Sequence, residues 1–259
     1  MSTHVIPAGA PAISVAGLRV AYNDVVALDD VGVTVPLGTI CGLIGVNGSG
    51  KSTLFKSLMG LAHPSSGAVE LFGLSPRQAR KLNLVSYVPQ SEDVDWTFPV
   101  SVRDVVMMGR YGRLGPMRRP HRGDREAVEA ALERTGLSHL QQRQIGELSG
   151  GQRKRAFVAR GIAQDAGLLL LDEPFAGVDK ASEAGLITLL KELRHEGKTI
   201  LISTHDLAGI PQLCDEAILL HQKVLAHGSP AEVLTNDNLA LAFGSALIGP
   251  SEGVRRGLS

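Results

Sequence analysis

Residues 45–52 read GVNGSGKS, which fits the pattern G-x-x-x-x-G-K-[ST] and predicts a cradle for phosphate. Phosphate charge is spread over several oxygens, so holding it takes many donors aligned at short range. Gly45, Gly48 and Gly50 allow the backbone through Val46, Asn47 and Ser49 to approach closely and turn its N–H groups inward. Lys51 is expected to reach the β- and γ-phosphates of a bound nucleotide, Ser52 to hold Mg²⁺ through its hydroxyl, and Thr53 to add a hydroxyl on the α-phosphate side. Residues 168–174, LLLLDEP, supply the other half of such chemistry. An apolar run of this kind reads as a buried parallel strand that delivers carboxylates at its C-terminal end. Asp172 is expected to support Mg²⁺ through water. Glu173, one residue on, is expected to point the other way, toward an attacking water. These residues together predict binding and hydrolysis of ATP with Mg²⁺.

The flanking sequence contains the elements that would position them. TICGLI (39–44) reads as a strand entering the glycine loop, and KSTLFKSLMG (51–60) as a helix stopped at Gly60. The cradle then sits at a helix N-terminus, whose dipole favours an anion. Residues 13–44 cluster Val, Ile and Leu between breaks at Asn23-Asp24 and Pro36-Leu37-Gly38, the pattern of several short strands. GAVELFG (67–73) and NLVSYVPQ (83–90) read as further strands. From about 93 to 147 the spacing turns helical, in SVRDVVMMG (101–109) and in DREAVEAALERTG (124–136), with Asp124 as the expected cap and Gly136 as terminator. A helix over about 150–163 precedes a return to alternation: LLLLD, a helix from Lys180 to Glu196 ended by Gly197, TILIST (199–204) and EAILL (216–220).

With LSGGQ at 148–152, the set resembles the nucleotide-binding subunit of ATP-binding cassette (ABC) transporters, over about residues 13–235. The resemblance implies an α/β fold, a P-loop NTPase core of ABC type with an N-terminal antiparallel β portion and a helical subdomain inserted at about 93–165. Residues 1–12 would be a flexible N-terminus and 236–259 a C-terminal tail. It also implies roles. Tyr22 matches the aromatic that stacks on adenine, although a lone strand Tyr is ordinarily packing. Gln90 matches the glutamine that touches Mg²⁺ and the water and links the site to the helical lobe. Ser149, Gly150, Gly151 and Gln152 match the signature that caps the γ-phosphate of ATP bound on another copy of the chain. Asp179, in FAGVD, matches a loop crossing that dimer interface. His205, in STHD, matches a histidine contacting the γ-phosphate, against the alternative of a structural hydrogen-bonder. Two chains placed head to tail would sandwich two ATP molecules and reopen after hydrolysis.

Composition limits what the cycle could drive. Lys+Arg and Asp+Glu balance at 26 each, so no basic field exists to gather nucleic acid. No run of about 18 apolar residues offers a membrane span, and MSTHVIPAGAPA has no signal-peptide pattern. The expected place is therefore peripheral, on the cytoplasmic face of the cell membrane, bound to a multi-span permease. A soluble ATPase of translation would normally carry two cassettes, and a DNA-repair ATPase long coiled coils; one phosphate loop and no sustained heptads are present. The segment at 88–120, RQIGELSGGQRKRAFVARGIAQ and LLLLDEPFAGVD resemble ATPase subunits of bacterial manganese, iron and zinc importers, manganese best. That resemblance implies an extracytoplasmic metal-binding protein reached through the permease, with another cargo or an exporter as the alternative. The eight histidines are scattered and neither Cys41 nor Cys214 lies in a close metal-ligand pair, so selection of a transported metal is expected to happen in those partners. Arg110, Arg113, Arg118, Arg119, Arg122 and Arg125 make a basic cluster that reads either as a solvated loop or as a contact with the membrane partner or anionic headgroups. Trp96 reads either as part of the permease interface or as core of the helical lobe.

Overall fold

Alternating apolar residues at the start of the chain make an antiparallel sheet of three strands, in the order β2-β1-β4. Its strands are β1 (Ile13–Tyr22), β2 (Val25–Val35) and β4 (Ser66–Leu71). The computed structural model describes residues 9–90, 98–115 and 117–244. Trp96 and the segment GPSEGVRRGLS lie outside the described residues. Between β2 and β4 come the fully buried β3 (Ile40–Ile44) and helix α1 (Lys51–Leu58), with the phosphate loop between them. Helix α2 (Pro76–Lys81) leads to β5 (Val85–Val88).

The second sheet has six strands in the order β5-β6-β7-β3-β8-β9, where β6 is Leu168–Asp172, β7 Thr199–Thr204, β8 Glu216–His221 and β9 Lys223–Gly228. All its neighbours run parallel except the β8–β9 hairpin. Because side chains alternate across a strand, each central strand feeds two cores. Cys41, Leu43, Leu168, Leu170, Leu201 and Ile218 face α1 and the antiparallel sheet. Ile40, Ile44, Leu169, Leu171, Ile200 and Ile202 face helix α6 (Lys180–His195), which contributes Leu186, Leu189, Leu190 and Leu193. Short helices α7 (Ile210–Leu213), α8 (Pro230–Val233) and α9 (Asn236–Phe243) close the far side. Burial on both faces explains why the central strands read as unbroken apolar runs.

A third core belongs to the helical lobe, formed by α3 (Val102–Met108), α4 (Arg122–Arg134) and α5 (Gly150–Gln164). Helix α4 is capped three residues earlier than expected. Its N-cap is His121, and Asp124 is the third helical residue, whose carboxylate accepts from the His121 backbone N–H at 3.0 Å. Gly136 follows the helix with φ 67, as a terminator should.

Candidate nucleotide site

The loop from Gly45 to Gly50 closes because two positions admit only glycine. A Cβ on Gly45 would stand 2.4 Å from the Leu220 carbonyl oxygen, and one on Gly50 would stand 2.6 Å from the Ala27 carbonyl. Gly50 also adopts φ 102, in the left-handed region, as the N-cap of α1. The Gln222 N–H donates to the Ser49 carbonyl at 2.8 Å, and the Asp29 N–H to the Gln222 carbonyl at 2.8 Å, which ties the loop to both sheets. Lys51 folds back into its own loop: its Nζ donates to the carbonyls of Gly45 at 2.6 Å and Val46 at 3.1 Å. Burial pushes its pKa down, opposed by the charges of Glu173 and Asp172. The hydroxyl of Ser49 is buried without a hydrogen-bond partner. The cavity side of the loop is Val46, Asn47, Gly48, Gly50, Lys51, Ser52 and Thr53, an ammonium and two hydroxyl-bearing residues at a helix start, a donor set that fits polyphosphate.

Two carboxylates stand opposite the cradle. Asp172 ends β6 and is almost fully buried; its Oδ2 accepts from the Tyr87 hydroxyl at 3.2 Å and its Oδ1 from the Ser203 hydroxyl. Glu173 lies beyond the strand in a turn and does not continue the strand alternation; its side chain lines the same cavity as Asp172, and its φ is 49, a left-handed conformation unusual for a residue with a side chain. Three groups hold it there. Ser203 Oγ accepts its N–H at 2.9 Å, Lys154 Nζ donates to its carbonyl at 2.7 Å, and His205 Nδ1 lies 3.0 Å from Oε2. Burial pushes the Lys154 pKa down, opposed by the nearby charges of Asp172 and Glu173. His205 itself is 65% exposed.

These groups meet around a cavity of ≈ 320 Å³ lined by Val46, Asn47, Gly48, Gly50, Lys51, Ser52, Thr53, Gln90, Asp172 and Glu173. Its apolar side is Val25, Val26 and Ala27 of β2. Ser52, Gln90 and Asp172 therefore present oxygen ligands to one space, the hard donor set that suits Mg²⁺. Tyr22 is placed differently from a pocket wall. It ends β1, is 48% exposed, and is paired with Val25.

The signature forms a separate place. Ser149 caps α5, accepting the Gln152 N–H at 3.3 Å while the Gln152 side chain accepts the Ser149 N–H at 3.0 Å. A Cβ on Gly151 would meet Val178 and Ser182 at 3.2 Å, so the signature is seated on the start of α6. Asp179 caps that helix by accepting the Ser182 N–H at 3.0 Å, and this backbone bond lowers its pKa. The chain thus brings Lys51, Ser52, Gln90, Asp172, Glu173 and His205 together, and collects Ser149–Gln152 with Asp179 elsewhere.

The pattern of the ABC transporter family matches residues 28–176. The chain belongs to this family. It is 56% identical over 233 residues to the manganese transport system ATP-binding protein MntA of Synechocystis, covering 90% of each chain. It is 53% identical to the chelated iron transport system membrane protein YfeB of Yersinia pestis, over 92% of this chain and 80% of that one. Among solved structures it matches a chain of an inward-facing transporter described as of metal-chelate type, at TM-score 0.80 and 30% identity, over 90% and 89% of the two chains. As an ABC ATPase it binds and hydrolyses ATP and works within a transporter complex with a permease. Among the described residues no helix is long and apolar enough to cross a membrane.

Sequence reading missed Ser203, Lys154 and Tyr87, whose partners lie 30, 19 and 85 residues away along the chain. The basic cluster proves partly internal. Arg110, its side chain 13% exposed, pairs with Asp124 at 2.9 Å, whereas Arg113 and Arg122 pair at the surface, with Asp165 at 3.4 Å and Glu126 at 2.7 Å.

Proposed function

We propose that this chain powers a bacterial importer of a divalent metal, manganese foremost. The observation that carries this reading is the 56% identity to a manganese-system subunit across 90% of both chains. Its runner-up is chelated iron, on the strength of the relative at 53%.

In this reading Gly45 to Thr53 bind the triphosphate, with the Lys51 ammonium leaving its loop carbonyls for the β- and γ-phosphates. Ser52 and Gln90 would hold Mg²⁺, which offsets developing phosphate charge when bound. Both oxygens of Asp172 already accept hydrogen bonds, so it would act on the ion through water. Glu173 orients and deprotonates the attacking water, and His205 steadies Glu173 and reaches the γ-phosphate. Ser149, Gly150, Gly151 and Gln152 present a helix N-terminus that the chain's own phosphate loop does not use, so they would cap ATP held by a second copy. Asp179 would lie at that interface and Tyr22 against the adenine. Closure on ATP and opening after hydrolysis would drive a permease at the cytoplasmic face, fed by an extracytoplasmic metal-binding protein.

The test is elemental analysis of cells grown in metal-limited medium with the wild-type chain or Glu173→Gln, counting manganese, iron and zinc. A selective fall in manganese is expected. A fall in iron alone moves the cargo to the second reading, and unchanged metals with a demonstrably dead ATPase overturn the metal assignment. In vitro, Glu173→Gln should retain ATP and accumulate as a closed dimer; turnover at the wild-type rate would remove Glu173 from its role.

A further inference from the structure

Cys41, Glu216 and His227 are far apart in sequence but side by side in the sheet. Cys41 pairs with Glu216 across β3 and β8, and His227 on β9 pairs with Ile218. Glu216 and Ile218 share a face by alternation, so three neighbouring strands place thiol, carboxylate and imidazole on that face. Their ligand atoms all lie within 4.8 Å of one another. His227 Nε2 and Glu216 Oε2 are 3.3 Å apart. Two ligands about 2.0–2.1 Å from a shared tetrahedral ion would be separated by about 3.3–3.4 Å. The separation of this pair matches that of two ligands sharing an ion.

We propose that Cys41, Glu216 and His227 form a three-ligand site for a thiophilic divalent cation, Zn²⁺ foremost, distinct from the nucleotide site. The site lies at the start of β3, whereas the phosphate loop leaves its other end after Ile44. The side chains of Glu216 and His227 are 30% and 26% exposed and form the mouth, with the fully buried Cys41 as the floor. A thiolate with an imidazole and a carboxylate suits Zn²⁺ and disfavours Mn²⁺, which prefers oxygen ligands. Three protein ligands leave a fourth position for water. Burial pushes the Cys41 thiol well above its usual pKa, so the ion must displace its proton, as a coordinating metal does. Cys214 supplies an internal control. A Cβ built on Gly42 would meet its sulfur at 3.2 Å, which puts Cys214 on the opposite face from Cys41.

The experiment titrates the purified, metal-stripped full chain, without nucleotide, with Co²⁺ and then Zn²⁺. One equivalent of Co²⁺ should produce a thiolate-to-cobalt charge-transfer band with tetrahedral d–d bands. Zn²⁺ should remove these bands and Mn²⁺ should not. Cys41→Ser should abolish the charge-transfer band, and Cys214→Ser should leave it intact. His227→Gln, at the exposed mouth, should weaken Zn²⁺ binding by about 100-fold, while circular dichroism and ATPase turnover in Zn²⁺-free buffer with Mg²⁺ are unchanged. Absence of the band, its survival in Cys41→Ser, or wild-type Zn²⁺ affinity in His227→Gln would overturn the site and leave a Glu–His hydrogen bond over a buried thiol. If Cys41→Ser fails to fold, the His227→Gln affinity decides.

Discussion

Removing the Ser203 hydroxyl tests whether the acidic end of β6 is positioned by its neighbour strand. Ser203 is fully buried; its Oγ donates to Asp172 and accepts the Glu173 N–H at 2.9 Å. Glu173 holds φ 49, a conformation that costs a residue with a side chain about 1–3 kcal/mol. In Ser203→Ala a buried N–H and a buried carboxylate oxygen lose this partner, a penalty of about 1–3 kcal/mol. Relief comes if Glu173 leaves the left-handed region, and that swings its carboxylate off the line of attack. With about 1.4–2.7 kcal/mol of the loss felt in the transition state, kcat falls about 10–100-fold. Ser203 is absent from the residues lining the cavity, so KM for ATP should stay near the wild-type value.

The assay is steady-state phosphate release from the purified transporter at saturating ATP, with circular dichroism to establish folding. The variant is then combined with Glu173→Gln. Because Ser203 acts through the acidic pair, its removal should cost less than about twofold more in that background. A folded Ser203→Ala with wild-type kcat refutes the positioning argument. So does a double variant in which the two losses multiply in full.

Three further outcomes follow from the geometry. Lys51→Ala, which removes the one cation in the cradle, should lower turnover by about 100-fold or more, measured by the same assay. Lys154→Met keeps the buried volume but frees the Glu173 carbonyl; kcat should fall about 10-fold while the thermal midpoint shifts little, since the cost of burying the charge goes with the bond. Asp124→Asn should destabilise the chain by about 1–3 kcal/mol, because Arg110, only 13% exposed, loses its charge partner and keeps the Ala163 carbonyl alone. The His121 backbone N–H and Arg110 hold the Asp124 pKa below its usual value. Its contribution is therefore fully present above the ordinary carboxylate pKa and is lost as pH falls through the lowered one. Melting curves between about pH 2 and 7 should show the wild type losing this increment below about pH 4, with the variant flatter there.

What was legible in the sequence was whatever is specified locally. The phosphate loop, β6 and the helices starting at Gly150 and Lys180 are written in contiguous residues, because glycine conformations, buried strands and capping boxes depend on near neighbours. Strand β9 was not legible: KVLAHG is a half-exposed edge strand without clean alternation. The cap of α4 was misplaced because His121 is a weak cap by type, and its box closes only through Asp124 three residues on. Glu173 was expected to continue the alternation of β6, but the strand ends at Asp172 and a left-handed residue turns the chain. The backbone of that turn is held by Ser203 and Lys154, which only the fold brings near. Cys41, Glu216 and His227 were invisible for the same reason, since strand order rather than spacing makes them neighbours.

Helix α5 joins the two places that sequence reading described separately. Its N-terminus is the signature, its Ala156, Ala159 and Ala163 pack in the lobe, and its Val158 packs in the core beneath the main sheet. Small residues let it lie close: a Cβ on Gly161 would stand 2.7 Å from Leu169 of β6. One turn from the signature, Lys154 grips the Glu173 carbonyl. A displacement of the lobe relative to the sheet would therefore strain a buried charge-assisted bond to the residue whose backbone is already in an unfavourable conformation. The signature helix and the acidic strand end are joined both by the Lys154 bond to Glu173 and by the packing of Gly161 and Val158 on the sheet, so a force applied at one place is transmitted to the other.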